Sequence, residues 1–221
     1  MISLKLSAPL IGLFSGGLLC LGLYGMSIEA SPFLSTAGNS SDRLQSVATD
    51  PDVPFLSSKR ALIVFEYDCR SLAFGLTTPP IVAADRPRLN EACYERALSL
   101  VKTAPGNARL WLTLAQFAAF LDKRDVAFQA IERSRSYGPW QYSLAIERTR
   151  LIATMPDAPP AIKAIADSDA QTLAASYRGR EALAQIYVTE PERRNAIAMV
   201  IEMRPPNEQR HFVSRIQRTV R

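Results

Sequence analysis

From Ala8 to Met26 the chain carries no charged side chain, and that run constrains the first part of the molecule more than any other feature. An apolar helix of this length, rising 1.5 Å per residue, reaches roughly the 30 Å of a bilayer's hydrocarbon layer. Its polar content is Ser15, Tyr24 and several glycines, which lipid tolerates because a helical backbone satisfies itself. Lys5 precedes the run, while the residues just after it include Glu29 and no Lys or Arg. The positive-inside rule then predicts a single-pass inner-membrane protein, with residues 1–7 in the cytoplasm, a transmembrane helix over 8–26 and the rest in the periplasm. The competing reading is a cleaved signal peptide ending at Ala30; Ile28 and the length of the run fit it poorly. Cys20 follows Leu19, so the small residue required before a lipidated cysteine is missing. Gly12 and Gly16 form a Gly-x-x-x-Gly pair through which two such helices could meet as a homodimer, although simple packing in lipid is the favoured reading.

Residues 27–57 are rich in Ser, Ala, Pro and Asp without a sustained period, the pattern of a flexible linker. Such a tether has a root-mean-square reach of roughly 30 Å. From Lys59 onward apolar residues recur at helical spacing. Helices are predicted over 60–75, 88–103, 108–121, 123–136, 140–155, 161–177, 180–189, 191–203 and 206–220. Gly75 with Thr77-Thr78-Pro79-Pro80, Pro105-Gly106-Asn107, Gly138-Pro139 and Pro156 punctuate them, as helix stops should. No stretch alternates with period two, so residues 58–221 are expected to be an all-α domain of antiparallel hairpins.

The 48% apolar fraction is enough for a real core. His211 is the single histidine, which removes His-based metal clusters and Ser-His-Asp triads from consideration. The carboxylate pairs Glu66 with Asp68 and Glu91 with Glu95 stand at ordinary helix-surface spacings. No catalytic residue, metal site or cofactor is therefore predicted, and the chain is not expected to be an enzyme. The formal charge of +5 invites an acidic partner, but no nucleic-acid reading motif is present.

Short helices paired between Pro and Gly breaks invite comparison with known repeats. With Trp111 at the tetratricopeptide tryptophan position, Leu114, Ala115, Ala127 and Pro139 fall on consensus leucine, small, small and proline positions; Ala118, Ile131 and Ser134 depart from it. Tyr94-Glu95-Arg96-Ala97-Leu98 resembles the end of a preceding unit. The chain thus resembles a tetratricopeptide-repeat-like protein over about residues 88–155. Its layout, with Trp111-Leu112-Thr113-Leu114-Ala115, Ser134-Arg135-Ser136-Tyr137-Gly138-Pro139, Glu147-Arg148 and Pro191-Glu192-Arg193-Arg194, is also similar to small single-pass proteins of bacterial exopolysaccharide and O-antigen assembly clusters. That resemblance implies an envelope or polysaccharide-assembly protein as partner, and carries over no catalytic residue.

Cys69 and Cys93 stand at matching heights of a predicted hairpin, as a disulfide requires. Closing that loop would stabilise by roughly 3 kcal/mol in the chain-entropy model; two reduced, buried thiols are the other reading. Arg148 lies on the inner stripe with Leu144 and Leu151. It is either a partner-binding guanidinium on a concave face or a side chain covering apolar surface and paired with a carboxylate such as Glu132. Arg204, Arg210, Arg215, Arg218 and Arg221 run through a C-terminal stripe of Phe212, Val213, Ile216 and Val220 with Glu208 opposing. This helix either docks on anionic lipid or a partner or caps the last hairpin. The expectation is an interaction scaffold, with direct binding of an anionic glycan or lipid through Arg210, Arg215 and Arg218 as the alternative.

Overall fold

The computed structural model describes residues 15–27, 39–49 and 59–219. Every regular element among them is helical, with no strand. They fall into two compact units, Met1–Ala92 and Cys93–Arg221. The division lies inside a helix.

The first unit opens with α1 over 15–27. Here the membrane expectation is corrected: among the described residues no helix is long and apolar enough to cross a membrane. The described residues 15–27 of α1 extend about 20 Å at the helical rise, against the roughly 30 Å of a hydrocarbon layer. The predicted residues 8–14 and Gly12 lie outside the described residues. The assignment as a single-pass inner-membrane protein with a periplasmic domain therefore does not stand.

A second correction concerns the linker. Within the stretch expected to be a flexible tether, α2 runs over Ser40–Thr49. Its start is fixed locally: the Asn39 carboxamide accepts from Asp42 N–H at 2.8 Å and donates to the Asp42 carboxylate at 2.6 Å, a reciprocal cap. The helix is held by few contacts, which is why its period was hard to see. Leu44 is buried, and Arg43 forks onto Asp68 of α3 (Lys59–Ala73) at 2.6 and 2.7 Å. α3 ends as predicted at Gly75, whose φ of 68° is the left-handed conformation glycine supplies. Leu76 N–H closes back on the Ser71 carbonyl at 2.7 Å, completing a Schellman stop. Thr78 N–H then reaches Ser40 Oγ at 3.1 Å, tying this turn to α2.

Asp68 and Glu66 are both buried, so that carboxylate pair is not the surface pair its spacing suggested. Burial pushes the Asp68 carboxyl above its usual range, with the Arg43 hydrogen bond and charge opposing the shift. The native state thus holds this proton more tightly than the unfolded chain does. Its contribution to stability is full below the ordinary carboxylate range and is lost as pH rises through the raised value. Without Arg43 the charged carboxylate would be buried alone. Arg43→Ala is expected to cost about 2 kcal/mol near neutrality and progressively less as pH falls and Asp68 takes up its proton. Urea unfolding at neutral and acidic pH measures the difference; a pH-independent loss would contradict the account.

The second unit begins within α4 (Arg86–Thr103) and continues through α5 (Ala108–Phe120), α6 (Arg124–Tyr137), α7 (Tyr142–Ala153), α8 (Pro160–Ala174), α9 (Tyr177–Thr189), α10 (Arg194–Glu202) and α11 (Pro206–Thr219). Each agrees with its predicted helix to within a turn. Asn107 caps α5 by accepting from Arg109 and Leu110 N–H, and Ser176 caps α9 by accepting from Gly179 N–H at 3.0 Å. α5 pairs with α6 and α7 with α8 as successive hairpins. α7 lies beside both α5 and α9, and α8 beside both α6 and α10. Leu110, Leu114 and Phe117 of α5 bury with Ala127, Ala130 and Ile131 of α6. Leu173, Leu183, Ile186, Ile197 and Phe212 form the core toward the C-terminal end.

Candidate functional site

Arg148 is the centre of the best-defined polar constellation in the chain, and it is wholly buried. Its Nε donates to Asp169 Oδ2 at 2.7 Å and Nη2 to Asp169 Oδ1 at 2.9 Å, a planar fork suited to a carboxylate. Nη1 donates to Ser134 Oγ at 3.2 Å and to the Ser134 carbonyl at 3.4 Å. Nη2 also reaches the Gly138 carbonyl at 3.4 Å. All five guanidinium N–H groups are thereby used. The two carbonyls belong to the last turn of α6 and to its C-cap residue, where a cation is favoured by the helix dipole.

Asp169, equally buried, also accepts from Arg135 Nη1 at 2.8 Å, while Arg135 Nη2 donates to Ser168 Oγ at 2.8 Å. Arg135 further donates to the Pro139 carbonyl. One carboxylate from α8 therefore joins guanidiniums from α6 and α7. This accounts for Ser134, Arg135, Gly138 and Pro139 of the Ser134-to-Pro139 motif. Gly138 completes it, because a Cβ there would sit 2.7 Å from Ala108 Cβ and 3.1 Å from Leu144 Cδ1. The reading of Arg148 as a partner-binding guanidinium is corrected accordingly: no donor and no exposed surface remain for a ligand. The paired-carboxylate alternative holds in kind, with Asp169 in place of Glu132. Sequence spacing could not find Asp169, which arrives from the next helix.

Among the polar side chains reachable from outside is a set along α5, α7 and α9. Arg109 Nη2 donates to Ser143 Oγ at 2.8 Å, and Nη1 approaches Glu147 Oε1 at 3.4 Å. Arg150 Nη2 reaches Gln185 Oε1 at 3.5 Å. Each contact crosses from one hairpin's first helix to the next, so these helices present one face with half-exposed polar groups along its seams.

The C-terminal basic surface is smaller than its sequence suggests. Arg215 pairs with Glu181 of α9, a partner that the local sequence of α11 does not disclose. Arg204 and Arg180 converge on Glu208 Oε2 at 2.8 and 3.2 Å. The hydrogen bond from Arg204, with added attraction from Arg180, holds the Glu208 carboxyl below its usual range. Arg210 and Arg218 remain exposed, the latter folding back on Ser214. Phe212 is buried and Ile216 packs against the same cluster, whereas Val213 points outward. α11 thus caps the last helices with its apolar side.

Cys69 and Cys93 are both fully buried and both disulfide-bonded, while Cys20 is free and exposed. Gly16 lies in α1 with open space where a Cβ would stand. Among the described residues no three or more His, Cys, Asp or Glu side chains gather as a metal site would require. No family model, curated protein or solved structure matches the chain.

Proposed function

We propose that the chain is a protein-interaction scaffold, acting by binding and not by catalysis, whose hairpins follow a tetratricopeptide-like plan. The partner lies along the face formed by α5, α7 and α9. The observation that carries this reading is the side-by-side arrangement of those first helices, with Arg109, Ser143, Arg150 and Gln185 reaching across their seams. Stacked helix pairs of this kind give extended binding surfaces. The buried Arg148–Asp169 fork beneath them favours a preorganised surface, so less ordering cost is met on binding. Small Ala115 and Ala127, both fully buried, stand where a tetratricopeptide hairpin needs close helix approach. The resemblance to polysaccharide-assembly accessory proteins supplies the partner class to test first, a component of that machinery.

A photo-crosslinking side chain placed at Arg150 or Gln185 of the full chain is expected to capture a discrete partner in cells. The same group at Arg133, exposed on α6, is expected to capture none. Equal capture from all three positions, or none from any, would overturn the proposal. The glycan- or lipid-binding alternative keeps Arg210 and Arg218 on the exposed C-terminal face but loses Arg215, which is tied to Glu181.

A further inference from the structure

α1 is a helix with apolar side chains on every side, and among the described residues nothing covers them. Leu19, Leu23 and Met26 are 66%, 59% and 70% exposed, and no residue of 15–27 carries a charge. A helix apolar all round calls for burial. The same unit carries a second uncovered strip on α3. Ile63, Tyr67 and Phe74 recur at helical spacing and are 54%, 63% and 40% exposed, on the side opposite buried Asp68 and Leu72. Arg70, the charge within that strip, lies over the Phe74 ring at 5.8 Å, so the strip stays continuous.

We propose that two copies of this chain pair through these surfaces, with α1 of each copy lying on the α3 strip of the other. A two-fold arrangement of this kind uses each surface once per copy and closes the assembly. Pairing α1 with α1 would leave the α3 strip in water. The amount of surface is adequate. At roughly 200 Å² for each large side chain, the exposed fractions of Leu19, Leu23 and Met26 on one face of α1 and of Ile63, Tyr67 and Phe74 on α3 give on the order of 700 Å² per copy, close to the roughly 800 Å² per partner of a standard interface. Gly16, Gly22 and Gly25 leave open space beside the α1 backbone, which permits close helix approach.

Sedimentation equilibrium of the purified full chain is expected to give twice the 24.4 kDa chain mass. Ile63→Lys combined with Tyr67→Lys is expected to weaken the dimer by roughly a hundredfold while the helical circular dichroism is retained. A second measurement does not depend on that variant's folding. Tyr67→Cys, oxidised under mild conditions, is expected to give an interchain bond between Cys20 and position 67, located by peptide mapping without reduction. A monomer at about 100 µM, far above a working dimer's dissociation constant, would overturn the proposal. So would interchain bonds from Cys20 to Cys20 alone, which assign α1 to itself. Uptake by phosphatidylcholine vesicles that abolishes the dimer and survives both lysine changes would assign α1 to lipid and overturn it as well.

Discussion

Replacing Arg148 by Ala is expected to lower stability by about 3–5 kcal/mol, the cost of breaking a buried ion pair by removing one partner. For a chain of this size that is a fall in thermal midpoint of roughly 10 °C or more. Asp169 would remain buried with only Arg135 beside it, and the Ser134 and Gly138 carbonyls at the end of α6 would lose their donor. Arg148→Lys keeps the charge but not the fork, since an ammonium cannot satisfy both Asp169 oxygens and two carbonyls in one plane. It is expected to restore less than half of the loss. Arg148→Met with Asp169→Leu removes both charges together and is expected to be less damaging than the two single changes summed. Thermal unfolding followed by circular dichroism measures all three. A residue serving only a partner would give Arg148→Ala an unchanged midpoint, and that result would sink the buried staple.

The helices were legible because their signals are local. Apolar spacing placed α4 to α11, and breaks such as Gly75 and Gly138-Pro139 ended helices where the chain reverses. α2 escaped because it is short and buries little beyond Leu44; its clue was the Asn39-to-Asp42 cap, four residues of polar sequence inside a stretch otherwise read as tether. Ion pairs were the least legible feature. Arg148 was singled out from its stripe, yet its partner Asp169 and the Glu181 partner of Arg215 come from other helices, and single-sequence spacing carries no information on such pairings. The same limit applies to Arg43 and Asp68, where a carboxylate counted as a surface group proves to be buried. The apolar run over 8–26 suggests a membrane span by its length, its lack of charge and the placing of Lys5, whereas among the described residues no helix is long and apolar enough to cross a membrane.

Gly179→Ala is expected to reverse the usual sign of its class. Within a helix, alanine ordinarily gains up to about 1 kcal/mol over glycine. Here the added Cβ would lie 2.5 Å from the Leu173 carbonyl carbon and 2.8 Å from its Cα. Those atoms are backbone at the end of α8, so no side-chain rotation relieves the clash and the start of α9 must move. A loss of about 3 kcal/mol is expected, at the upper end of overpacking effects. The displacement would fall on a junction that also carries the Ser176 cap and the hydrogen bond from Arg180 to the Ala174 carbonyl at 2.8 Å. α9 in turn holds α11 through Arg180 with Glu208 and Glu181 with Arg215. Hydrogen exchange should therefore quicken across α9 and α11 while α5 and α6 keep their protection. Gly106→Ala, with open space around the added group, serves as the control and is expected to change stability by less than about 0.5 kcal/mol. Equal, small effects at both glycines would mean that α8 and α9 do not approach as closely as Gly179 requires. The last hairpin would then lack the fixed junction on which the α5–α7–α9 face depends.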